Sequence, residues 1–107
     1  MKLEVGMYVR TLNGIVKIDK IQDNVMKDTK GYLHYGDFVK ASYNIIDILE
    51  VGDYVNGDKV IKIFNPMFLS IGELPYIITI NGKYEEQEIE TIVTHEQFEQ
   101  MEYKVGD

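Results

Sequence analysis

The chain has 107 residues, of which 45% are hydrophobic and 27% charged, with a net charge of −7 and no cysteine. That length suits one domain or two very small modules sharing a core, and the composition is too apolar for a disordered chain. The lack of cysteine excludes disulfides, thiol catalysis and thiolate zinc sites. No stretch approaches the ~20 apolar residues of a membrane helix, and Met1-Lys2-Leu3-Glu4-Val5 does not open a signal peptide, so a cytoplasmic location is expected.

Val, Ile, Tyr and Phe are abundant, alanine occurs once at Ala41, and nine glycines punctuate the chain, which predicts short strands and a mostly-β fold. In chain order, Leu3-Glu4-Val5-Gly6-Met7-Tyr8-Val9 is the first strand unit. Asn13-Gly14 is its turn, and Ile15-Val16-Lys17-Ile18 is the returning strand. Turn residues then separate short strand candidates at Tyr32–Tyr35 and Phe38–Ala41. Ser42-Tyr43-Asn44 is predicted as a single helical turn ahead of Ile45–Ile48.

The opening unit returns as Leu49-Glu50-Val51-Gly52-Asp53-Tyr54-Val55, with six of seven residues identical, then Asn56-Gly57 and Val60-Ile61-Lys62-Ile63. A repeat of this kind reads as a duplicated β-hairpin, with one residue lost from the second loop. Two isolated hairpins cannot bury themselves, so each must pack on the other or on later strands.

After the second copy, Met67–Ile71 and Tyr76–Ile80 read as strands around a turn at Gly72-Glu73-Leu74-Pro75. Asn81-Gly82 marks a third hairpin, with a strand expected over Glu86–Val93. Thr94 is a helix N-cap with Gln97 as its capping-box partner, so a short helix ends the chain, with Phe98 and Met101 as its only apolar contacts. The fold expected is mostly β. It is either a small SH3-like barrel or two packed β-meanders from a duplicated hairpin, with residues 1–48 as the first unit and 49–107 as the second, and one short C-terminal helix.

The residues assemble no motif for nucleophilic catalysis, nucleotide binding or an EF-hand, so no enzyme activity, cofactor or metal is expected. From Lys83 onward there are eight acids against two bases, which opposes direct binding to nucleic acid. Two groups stand out as candidates for contact with a protein partner. Tyr32, Tyr35 and Tyr43 flank turns, as exposed aromatic anchors do, and His34 lies between two of them; the alternative place for most of these aromatics is the core or the barrel rim. Glu86, Glu88 and Glu90 alternate along a predicted strand face, and Glu96 and Glu99 lie on the helix. Such a face either keeps an edge strand soluble or docks on a basic surface with its carboxylates in the place of phosphates, and in the second case salt weakens it. His95, at the first helical position, reads as a solvated ring.

Leu3–Thr11, Asn44–Gly57 and Ile92–Glu99 together resemble small uncharacterised proteins encoded by phages and prophages of Gram-positive bacteria, and the first hairpin is similar to an SH3-like unit. The resemblance carries no catalytic residues. Small size, the lack of a catalytic motif and the acidic end lead to the expectation of a non-catalytic phage or prophage accessory protein, monomeric or homodimeric in a bacterial host cell, that binds a host macromolecule, with inhibition of a host enzyme or of a defence system such as CRISPR as one form of that role. A structural or assembly protein, such as a minor virion component that self-associates through β edges, is the alternative.

Overall fold

The computed structural model describes residues 2–36, 38–66 and 74–101. The first half forms β1 (Tyr8–Thr11), β2 (Gly14–Gln22), β3 (Val25–Asp28), β4 (Leu33–His34) and β5 (Phe38–Ser42), followed by a 3₁₀ turn over Ile45–Ile48. The second half forms β6 (Tyr54–Val55), β7 (Asp58–Phe64), β8 (Tyr76–Thr79), β9 (Gly82–Glu85), a 3₁₀ turn over Glu86–Glu88, β10 (Ile92–Val93) and helix α1 (His95–Met101). The predicted strand Met67–Ile71 and the turn residues Gly72 and Glu73 lie outside the described residues.

The two halves are the same antiparallel meander. Sheet order is β4-β3-β2-β1-β5 in the first and, read from the corresponding edge, β9-β8-β7-β6-β10 in the second. Matching backbone hydrogen bonds fix the alignment. Gly6 N–H bonds Ile18 O and Ile18 N–H bonds Met7 O, just as Gly52 N–H bonds Val60 O and Val60 N–H bonds Asp53 O. Each sheet then shifts register one step further on, between Ile18 and Lys20 and between Val60 and Lys62. Ile18 therefore corresponds to Val60, not to Ile63. Met7 to Ile18 spans 11 positions and Asp53 to Val60 spans 7, so the second hairpin is shorter by four residues, not one.

Turn chemistry explains the difference. Asn56 and Gly57 have φ of 52° and 85°, the left-handed pair of a type I′ turn, which joins β6 and β7 directly. In Thr11-Leu12-Asn13-Gly14 and Thr79-Ile80-Asn81-Gly82 only the glycine takes positive φ. There the threonine hydroxyl accepts the asparagine N–H at 3.0 and 3.2 Å and donates to the glycine carbonyl at 2.9 and 3.0 Å. Asn-Gly thus marks three hairpins but sits at the tip of only one.

Three equivalent positions carry both cores. Val9, Ile18 and Met26 are buried in the first half with Leu3, Met7, Val16, Phe38 and Ala41 around them. Val55, Val60 and Ile77 take the same places in the second. The second core is completed by Ile45, Ile46, Ile48 and Leu49 from the junction between the repeats. Fully burying each of these aliphatic side chains contributes about 1.5–3 kcal/mol.

A helix follows the fifth strand in both halves, 3₁₀ in the first and α in the second, so the terminal helix is part of the repeat. Thr94 caps α1 as expected, its N–H bonding Gln97 Oε1 at 2.8 Å. Docking differs from the expectation. Phe98 sits 4.6 Å from the Tyr54 ring, but Met101 is 77% exposed. The strand expected over Glu86–Val93 is also reduced to Ile92–Val93. Glu88 accepts the Glu85 N–H at 2.9 Å, and that three-residue spacing winds the chain into a 3₁₀ turn in place of an acidic strand face.

Candidate functional site

Alternation along β1 sends Val9 into the core of its own sheet and Arg10 the opposite way, toward the second repeat, and both are fully buried. A guanidinium without water must find partners for all five N–H groups. Arg10 finds five. Nη1 donates to Asp53 Oδ2 at 2.7 Å and to the Ile48 carbonyl at 2.9 Å; Nη2 donates to Asp53 Oδ1 at 2.7 Å and to Glu96; and Nε donates to Glu96 Oε2 at 3.1 Å. Asp53 is equally filled, for its oxygens also accept the N–H of Glu50 at 2.7 Å and of His95 at 3.0 Å. The second of these satisfies an N–H that the start of α1 leaves free.

A more exposed shell surrounds this pair. His95 contacts Glu50 through Nε2 at 2.7 Å and Glu99 through Nδ1 at 3.0 Å, and Lys40 of β5 reaches Glu50 at 3.0 Å. Burial alone would raise the Glu50 carboxyl, but hydrogen bonds from His95 and Lys40 and the charge of Arg10 hold it down at about 2. Glu96 is lowered likewise: Arg10 outweighs its burial. The hydrogen bond to Glu50 outweighs burial at His95 and raises it above the ordinary histidine value. Arg10, whose burial acts the other way, is held above its usual value by Asp53 and Glu96. Bases of the first repeat thus meet acids of the second. Residues 1–48 carry seven bases and six acids, and residues 49–107 carry four and twelve.

Glu50, His95 and Glu96 offer ligand atoms within 4.8 Å of one another, a spacing that could hold a metal ion. The Arg10 guanidinium already lies against both carboxylates, and like unit charges 4 Å apart repel by about 4 kcal/mol at an effective dielectric of about 20. A cation there would have to share both carboxylates with Arg10.

A groove of about 570 Å³ runs between the repeats. Tyr8, Ile15, Ile45, Ile89 and Ile92 give it an apolar floor; Lys17 and Lys30 line it from the first repeat, together with Asp28, whose carboxylate is already bonded to His34 and to the N–H groups of Lys30 and Tyr32, and Glu86 and Glu90 line it from the second. The side-chain amide of Asn56 shapes the second wall, accepting the N–H of Glu90 and Thr91 at 2.8 and 3.0 Å and donating to Glu88 O at 2.8 Å.

The residues singled out in the sequence fall into separate places. Tyr32 and Tyr35, 68% and 73% exposed, flank the edge strand β4, where His34 bonds the buried Asp28 at 2.9 Å. Burial would raise Asp28, but His34 and the N–H groups of Tyr32 and Lys30 hold it below the usual carboxylate range. Tyr43 follows β5 at the opposite edge of that sheet and donates to Glu4, so it forms no single patch with Tyr32 and Tyr35. Glu86 and Glu90 meet in the groove, and Glu88 caps its own turn. Glu96 faces inward on Arg10, with 14% of its side chain exposed, and Glu99 braces His95 from the surface. His95, expected as a solvated ring, is held between two carboxylates.

Arg10, Asp53 and Glu50 were not among the sequence candidates. A signal for two of them exists where the repeats disagree. Asp53 stands where the first copy has Met7, and Arg10 stands where the second has Asn56, so opposite charges enter the two copies at different positions. The chain matches no family model, and comparisons with curated proteins and with solved structures return no match.

Proposed function

We propose that the chain is a non-catalytic binding protein that acts on a protein partner with a basic surface. The observation that carries this reading is the division of its charges. Among the described residues, every buried side-chain nitrogen and oxygen has a partner within the protein, with Arg10 and Asp53 filled completely, while Glu86, Glu88 and Glu90 sit at the surface of the acid-rich repeat. Charges used up in the interior hold the two repeats together; outside, Glu86 and Glu88 each give one oxygen to a backbone N–H and keep a net charge at the surface, and Glu90 is exposed, so these three can meet another molecule.

The resemblance to phage and prophage proteins supports an accessory role in the cytoplasm of a bacterial host, and inhibition of a host enzyme or a defence system such as CRISPR fits that role. The sheet order, with the first strand between the second and fifth, fits an SH3-like unit in each half. Among the described residues no helix is long and apolar enough to cross a membrane. The test is capture of one stoichiometric partner by the tagged protein at low and at high salt, with a Glu88→Gln/Glu90→Gln variant beside it. Capture that weakens with salt and in the variant is expected; capture indifferent to both rejects a basic partner.

One observation favours assembly as a second reading. The edge strand β4 presents Leu33, 53% exposed, between Tyr32 and Tyr35. Light scattering that shows growth beyond a dimer with concentration would favour it.

A further inference from the structure

We infer that the groove between the repeats takes an extended segment of a partner protein, with an arginine or lysine against Glu86 and Glu90 and an aliphatic side chain on the floor of Ile45, Ile89 and Ile92. This rests on the binding-protein reading and adds the place and the chemistry of the contact.

The dimensions and the lining argue for that occupant. A groove of about 570 Å³ lies within the range that holds a few residues or a small ligand, and its apolar floor is flanked by a few charges. It is bordered by the strand residues Ile15, Val16 and Lys17 of the first repeat and by residues 89–92 of the second, so an extended segment can run between the two repeats along β2. Lys17 leans over the Tyr8 ring at 5.5 Å, which holds its charge on the wall of the first repeat. Opposite signs on facing walls give an incoming segment one favoured direction. Its basic residue goes to the second repeat, and an acidic one, where present, goes to Lys17 and Lys30. A nucleic-acid strand, all of one sign, would meet Glu86 and Glu90 with its phosphates.

The wall tolerates the substitutions needed to test this. Glu86 accepts the Ile45 N–H at 3.3 Å, a bond that Glu86→Gln keeps, and Glu90 is exposed, with only its backbone N–H bound, to Asn56.

The experiment uses the full chain to select from a randomised library of short capped peptides with a fixed central arginine, and follows the enriched peptides by amide NMR. Expected are shifts confined to Ile15–Lys17, Thr29 and Ile89–Ile92, and binding about tenfold weaker or worse in Glu86→Gln/Glu90→Lys. Glu90→Lys alone should also weaken binding, and Asp19→Lys, which lies in β2 outside the groove and makes the same charge change as Glu90→Lys, should bind as the parent does; these two are the matched pair. Equal loss in both variants, shifts centred on Tyr32–Tyr35, or no enrichment over the double variant would each overturn the groove as the site. A dimer that disappears in Glu90→Lys would make the occupant a second copy and overturn it too. A partner captured in salt-sensitive fashion whose binding ignores Glu90→Lys would reject the groove while leaving the binding-protein reading in place.

Discussion

The two repeats share a strand order, a register shift and three core positions, yet they treat the turn before the first strand in opposite ways. In the first, Met7 packs against the core of its own sheet. In the second, Asp53 occupies that place and turns outward to a buried arginine on the other repeat. One side chain thus decides whether a turn serves its own sheet or the joint between sheets. The same backbone supports both because the carbonyl and N–H bonds that hold the turn to the returning strand do not involve either side chain.

The sharpest way to break the comparison is Arg10→Met, which gives the joint an apolar residue of similar length. It leaves Asp53 and Glu96 buried or half-buried without their counter-ion, and a loss of about 3–5 kcal/mol in urea denaturation is expected. A loss below about 1 kcal/mol would mean that the joint carries little of the stability.

Met26→Ala and Ile77→Ala probe equivalent core sites, and each is expected to cost about 2–5 kcal/mol within a single unfolding transition. A curve that splits into two steps would show the repeats unfolding separately. Thr11→Val and Thr79→Val remove the same turn hydroxyl in the two halves. They should cost about 1 kcal/mol each and match one another, since both hydroxyls are buried and make the same two bonds.

The smallest effect is the pH dependence of the exposed shell, where pairs of this kind contribute about 0–1 kcal/mol. His95 is raised in the folded state, so its contribution is complete below pH about 6.5 and is lost as pH rises through the raised value. Glu50 is lowered to about 2, so its contribution is present above pH about 4.5 and is lost as pH falls toward 2. Denaturation midpoints should peak between these limits, and His95→Gln should flatten the alkaline side and, because His95 also helps lower Glu50, weaken the acid side to a smaller degree.

Much of the architecture was legible because it is local. Six identities in seven residues announced the repeat, three Asn-Gly pairs marked three hairpins, and Thr94 with Gln97 set the start of α1. The acidic strand differs from the expectation because Glu88 satisfies two patterns at once, alternating acids along 86–90 and a cap to Glu85 at three-residue spacing, and the cap prevails. The Arg10 cluster joins residues 43 and 86 positions apart, a separation that no local pattern encodes. Its trace was a mismatch between copies, opposite charges at positions that do not align.

The three isoleucines of Ile45–Ile48 belong to the first repeat by sequence and to the second by burial. During synthesis they emerge before Val55, Val60 and Ile77 exist to cover them. The nascent first half therefore carries an exposed apolar plug until about thirty more residues have followed, the distance from Ile48 to Ile77. Cutting the gene at the repeat boundary would make that passing state permanent, leaving one fragment sticky and the other with an open core.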